Sequence, residues 1–239
     1  MTEPIMSMIS SAVRTEYWEE LYYSIDDENT IPFEMVFVGN VRPDFDLPDN
    51  FIYIYSEAKP IQCFEIACRN AKGKYVMTTQ DDLTFPPWSL FNLYKYVLRM
   101  RDPDRVMVTP RYHDKLTGEI NPNFMFFSCT DRHAPIIGIG TVMSRQLWRD
   151  LGGLDRRFHS LFADLDLQLR MYQVGVHPFI APDVVIRERP HDKYPRLVSI
   201  DHSDRQILDS FWMCPGNVTS KERLVSVESF TEDEIPIVR

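Results

Sequence analysis

Along the chain, short apolar runs alternate with stretches whose apolar residues recur every three or four positions. The runs read as strands: Ile5 to Ile9, Phe33 to Val38, Phe51 to Tyr55, Tyr75 to Thr79, Arg105 to Thr109 and Phe124 to Phe127, with extended pieces at Pro178 to Ile180 and Val184 to Arg187. The periodic stretches read as helices. One starts at Thr15, a residue suited to an N-cap, and carries Trp18, Leu21, Tyr22 and Ile25 on one face. Others run from Ile61 to Ala71, Trp88 to Met100, Ser144 to Leu151 and Asp164 to Val174, with an amphipathic segment around Ile207 to Met213. Gly73, Gly152-Gly153 and Gly175 follow helix ends, where a left-handed closing residue is common. Strand, helix, strand at the start predicts a parallel βαβ unit. The whole predicts an α/β domain with a central mixed, mostly parallel sheet flanked by helices. The turn Lys115 to Gly118 is where the sheet is expected to become mixed.

Polar positions interrupt this pattern most sharply after Tyr75 to Thr79, an apolar run that ends in Gln80, Asp81 and Asp82. An ionised carboxylate inside a core without a partner is very costly, so these acids belong at the strand's C-terminal edge. In an open α/β sheet ligands bind along that edge, and carboxylate oxygens there suit Mg²⁺ or Mn²⁺ carrying a phosphate. The other reading is a polar turn before Pro86-Pro87, and sequence alone leaves both standing. Ile136 to Met143 is apolar and β-rich but holds Gly138 and Gly140; either a ligand passes close to the backbone or the strand bulges.

Composition narrows the function classes. At 239 residues and a formal net charge of −9, with no block of Lys or Arg, a nucleic-acid surface is not expected, and an anionic substrate needs a local device such as a metal ion. No apolar stretch is long enough to span a membrane and no secretory leader is evident. Cys63, Cys68, Cys129 and Cys214 form no C-x-x-C pair, which suits reduced core thiols and a cytoplasmic setting.

Three pieces in order resemble the family 2 glycosyltransferases of the GT-A fold, over roughly Met6 to Glu188. Ser7 to Arg14 and the following helix resemble the family's first strand and nucleotide loop. Ala71-Lys72-Gly73-Lys74-Tyr75-Val76 followed by Gln80-Asp81-Asp82 is similar to its strand running into the D-x-D motif. Leu151-Gly152-Gly153-Leu154-Asp155, then Ala163-Asp164-Leu165-Asp166-Leu167 and Arg170, resembles its "GGFD" and "E-D-x-D-L-x-x-R" stretch. The resemblance implies a single GT-A-type (Rossmann-like) domain over residues 1–190. Its nucleotide-sugar half would be about 1–110 and its acceptor half about 111–190, with 191–239 as an extension packed on the core.

It also implies transfer of a sugar from a nucleotide-diphosphate donor to a glycan, lipid-linked or protein acceptor hydroxyl, with inversion, assisted by Mn²⁺ or Mg²⁺. Ser10, Ser11, Arg14, Asn40, Gln80 and Asp81 are then the nucleotide-sugar contacts, and Asp82 the aligned metal ligand. Asp164 is the general base, or else a helix N-cap. His191 is a further metal ligand, a place for which Glu188 is the alternative. Three positions depart from the family: Gln80 replaces the first D-x-D acid, Gly39-Asn40 replaces the aspartate that reads the base, and Ala163 replaces the glutamate before Asp164. These departures favour a catalytically weak or inactive nucleotide-sugar-binding module as the alternative. A sugar-phosphate nucleotidyltransferase is a second, although Ser10 to Arg14 lacks the glycines of its phosphate loop.

Overall fold

A computed structural model describes residues 2–26, 28, 30–113, 120–121, 125–126, 135–136, 140–189, 201–212 and 222–237. Its elements are β1 (Met6–Ser11), α1 (Trp18–Ile25), β2 (Phe33–Gly39), β3 (Phe51–Tyr55), α2 (Pro60–Asn70), β4 (Tyr75–Thr78), β5 (Leu83–Thr84), α3 (Ser89–Arg99) and β6 (Met107–His113). After these come β7 (Ile120–Asn121), β8 (Met125–Phe126), β9 (Pro135–Ile136), β10 (Val142–Ser144), α4 (Arg145–Asp150), α5 (Ala163–Gln173), β11 (Phe179–Glu188) and α6 (Asp201–Trp212).

The main sheet runs β3-β2-β1-β4-β10-β6-β11-β5, with β7 on β6. From β3 to β4 the strands are parallel; β10 is antiparallel to both its neighbours, β6 and β11 are parallel, and β5 closes antiparallel on β11. Each strand divides its residues between two cores, as the two-residue period of a doubly covered sheet requires. Ile9, Val36, Val76, Met107 and Met143 face the layer of α2, α4, α5 and α6. Met8, Phe37, Met77, Val108 and Val142 face α1 and α3, where Trp18 packs against Phe37, Phe51 and Tyr53.

Several boundaries differ from the sequence reading for local reasons. Thr15–Tyr17 is a 3₁₀ turn ahead of α1, and Thr15 caps nothing with its side chain. The two extended pieces near residue 180 are one strand, β11, whose register against β6 shifts between Ala181 and Val185. Gly140 has φ +68, and a Cβ there would come within 3.0 Å of Ile186 and Pro110 side chains, so packing and a turn account for this glycine rather than a ligand. Gly138, the turn at 115–118, Cys129, Cys214 and His191 lie outside the described residues.

Candidate functional site

Parallel pairing of β2, β1 and β4 brings Gly39, Ser11 and Thr78 to one edge of the sheet, so the segments that follow these strands meet there. Beyond β4 the chain continues through Thr79 and half-buried Gln80 to Asp81 and Asp82, which are 1 % and 0 % exposed. Acids this buried need partners, and the loop after β1 supplies them. Asp81 Oδ2 accepts the backbone N–H groups of Val13 and Arg14, each at 2.7 Å, and Oδ1 accepts Arg14 Nε at 2.6 Å. Arg14 Nη2 also pairs with Asp81, while Nη1 lies 3.0 Å from Asp82 Oδ2. One guanidinium thus bridges the two carboxylates. Burial pulls the Arg14 pKa down, but Asp81, Asp82 and Glu188 outweigh it and hold the guanidinium above its ordinary value.

Glu188 ends β11 beside Leu83 and accepts a short hydrogen bond from Tyr112 Oη. The next residue ties the strand end down: Arg189 N donates to Asp82 O at 2.8 Å, and its guanidinium pairs with Glu20. Asp81, Asp82 and Glu188 therefore outnumber Arg14 at this edge. That donor set fits a divalent ion of the kind held by one or two carboxylates together with substrate phosphates. Among the described residues no three His, Cys, Asp or Glu side chains form a self-contained metal cage.

The remaining expected nucleotide contacts sit around this centre in different states. Ser10 is buried and its Oγ donates to Ser11 O at 3.1 Å, whereas Ser11 is half-buried at the strand end. Asn40 is exposed directly after β2. The aspartate expected before it has no room: a Cβ at Gly39 would fall 1.9 Å from Ala12 O. Tyr53 Oη and Ser56 N instead donate to Gly39 O at 2.7 and 2.9 Å.

Asp164 lies in the first turn of α5, which begins after Phe162 in the left-handed region at φ 65. The loop leading there is fixed by buried Asp204 of α6, which accepts the N–H groups of His159, Ser160 and Leu161. Asp164 is not the N-cap; its Oδ1 accepts Leu165 N at 2.9 Å. Burial raises its pKa above the usual carboxylate value, opposed by backbone hydrogen bonds. A helix terminus favours the ionised form, but at this half-buried site desolvation is the larger effect. No hydrogen bond or ion pair among the described residues joins Asp164 to the Arg14–Asp82 group.

Asp166, two residues on, belongs to a sealed ionic cluster that sequence reasoning missed. It accepts Arg170 Nε at 3.0 Å and Trp212 Nε1 and Arg223 Nε at 2.9 Å. Arg223 continues to Asp155 at 2.6 Å, which Arg157 also grips. Arg170 Nη2 donates to Gly153 O at 2.7 Å.

No protein-family model and no curated protein matches the chain. Solved structures do. S. aureus TarS 1-349 in complex with UDP-GlcNAc superposes with TM-score 0.60 at 14% identity, over 85% of this chain and 64% of that one. A second crystal structure of S. aureus TarS 1-349 gives 0.54 at 16%, over 75% and 59%. GalNAc-T7 with UDP, GalNAc and Mn²⁺ gives 0.59 at 12%, over 88% and 48%. The chain spans 64% or less of each of these, so the likeness concerns the fold, and that fold is the GT-A type of these glycosyltransferases.

Proposed function

We propose that the chain transfers a sugar from a nucleotide-diphosphate donor to an acceptor hydroxyl with inversion. The observation that carries this is the Arg14–Asp81–Asp82 centre at the C-terminal edge of a GT-A sheet. Neighbours of that fold hold UDP, UDP-GlcNAc or, in GalNAc-T7, UDP with Mn²⁺, which supports a UDP-type donor and a Mn²⁺ or Mg²⁺ ion here.

Asp82, with Glu188 as the adjoining carboxylate, is assigned to hold the ion. Bound there, the ion would offset charge on the leaving diphosphate. Arg14 is assigned to the diphosphate, Ser11 and exposed Asn40 to the nucleoside, and half-buried Gln80 to the donor's ribose or sugar. Asp81 is already committed to the Arg14 loop and acts through it. Asp164 takes the proton of the attacking hydroxyl. Its raised pKa is favourable for that role, because a base works best when its pKa approaches the working pH. The reading leaves the acceptor as a glycan, lipid or protein hydroxyl. Among the described residues no helix is long and apolar enough to cross a membrane.

A binding module without turnover is the second reading, favoured by Gly39, where no acidic side chain fits. Calorimetric titration with UDP and UDP-GlcNAc, with and without Mn²⁺, tests donor binding. Donor hydrolysis followed by NMR then separates the readings: a product of inverted configuration supports the enzyme, retained configuration overturns inversion, and binding without turnover leaves the module.

A further inference from the structure

Arg14 stands where an incoming cation would have to go. It is held there by its own backbone: Val13 N and Arg14 N both donate to Asp81 Oδ2, so the loop is fixed to the acid whatever the side chain does. The guanidinium then folds back so that Nε and Nη2 meet Asp81 and Nη1 meets Asp82. Its side chain remains 18% exposed, while both carboxylates are closed to solvent. Of the five N–H bonds of the guanidinium, the one on Nε is hydrogen-bonded to Asp81, while Nη1 and Nη2 meet the acids as ion pairs. A divalent ion that takes Asp82 Oδ2 displaces Nη1, and a displaced Nη1 needs a new anion.

We propose that Arg14 is a tethered counter-ion that yields Asp82 to a divalent cation only as its own released N–H groups pass to a diphosphate. Ion and nucleotide then enter together, each weakly alone. The charges agree with this order. Asp81, Asp82 and Glu188 against Arg14 leave the edge with an excess of two negative charges, which repels a diphosphate that arrives without an ion. An ion arriving without the diphosphate displaces the guanidinium and leaves it with no partner for Nη1. The diphosphate half of the inference rests on the donor reading above; the competition for Asp82 does not.

The test uses the whole chain and two probes, Mn²⁺ followed by the EPR signal of the free ion, and UDP. Arg14→Ala is expected to bind Mn²⁺ alone roughly tenfold or more tightly than the natural protein, the scale of one close ion pair no longer competing. UDP is expected to tighten Mn²⁺ binding in both proteins, by roughly tenfold less in Arg14→Ala, since coupling between two ligands is reciprocal. Arg14→Lys, which keeps the charge but has one nitrogen and cannot bridge both acids, is expected to fall between them and covers the case in which the alanine variant does not fold. Asp82→Asn should abolish the gain when added to either variant. Equal Mn²⁺ affinities in the natural protein and both variants overturn the competition, and equal UDP coupling overturns the transfer to phosphate. Failure of UDP to bind any of the proteins overturns the nucleotide reading, while Mn²⁺ alone still decides whether Arg14 holds the ion site shut.

Discussion

Two groups of buried arginines and aspartates lie on opposite sides of this chain's chemistry, and they are built with different balances of charge. Under Gly152-Gly153, Asp155 and Asp166 share Arg157, Arg170 and Arg223, and Trp212 fills a further acceptor site. At the sheet edge, Asp81 and Asp82 share Arg14, with Glu188 adding a third acid. The first group is balanced, since Arg157 also pairs with Glu228 at 3.2 Å, and it is closed by α6 and by residues 222–237, whose Phe230 and Ile235 enter the core. The second has carboxylates to spare on the edge where ligands of α/β sheets bind. A buried ion pair alone is poor evidence of function, because structural networks are built from the same residues. The balance of charge and the place in the sheet are what distinguish them.

The difference is tested most severely at Asp166. Replacing it with Asn leaves Arg170 and Arg223, 4% and 5% exposed, without their shared counter-ion. We expect a loss of about 3–5 kcal/mol in stability by urea denaturation, the cost of breaking a buried pair from one side. Asp166→Asn must therefore be compared at matched folded fraction before any activity is read. Asp164→Asn is expected to do the reverse: UDP affinity and unfolding midpoint nearly unchanged, turnover down by roughly 10²- to 10⁴-fold. The acid limb of kcat should lie above the usual carboxylate range in the natural protein, since burial raises the Asp164 pKa, and should vanish in the variant. A turnover loss larger at Asp166 than at Asp164, after correction for folding, would reassign the base.

Much of this was legible in the sequence because it is written in local period. The strands from β1 to β4, helices α2 and α3, and the acids after β4 follow from alternation, capping and the cost of burying charge. Helix α5 was harder, since Leu165 to Met171 are all buried and no polar stripe marks a face. What could not be read is the pairing across long separations. Arg14 and Asp81 are 67 residues apart and Arg223 and Asp155 are 68 apart, and neither arginine is marked by its neighbours in sequence. The tail beyond residue 222 carries no motif, yet Arg223 makes it part of the cluster. Gly39 read as a missing aspartate; the close approach of Ala12 O explains why none fits.

A milder perturbation of the sealed cluster uses acid. Burial pushes Asp155 up, but hydrogen bonds from Arg157, Arg223 and the backbone outweigh it and bring the pKa from 3.8 down to about 2. A depressed carboxylate contributes stability above its unfolded pKa and loses it as pH falls through the folded one. The window is therefore about pH 4 to 2, and the lowered pKa corresponds to about 2 kcal/mol. Asp155→Asn should flatten the stability profile in that window and leave its slope above pH 5 unchanged. A slope unchanged below pH 4 would mean that other acids carry the acid sensitivity.

The smallest expected effect sharpens the open edge instead. Asn40 is exposed after β2, next to Gly39, where the fold leaves no room for an acid, and an amide offers both a donor and an acceptor to a base edge. Loss of one such contact is worth about 0.5–1.5 kcal/mol. Asn40→Ala should therefore weaken UDP by roughly two- to tenfold in the presence of Mn²⁺, with inorganic pyrophosphate affinity unchanged, because pyrophosphate meets only Arg14 and the ion. Parallel loss of UDP and pyrophosphate would put Asn40 with the phosphates. No loss of either would leave the base to be read by some other group, and would confine the contacts of this edge to the charged centre that Arg14 and Asp82 form.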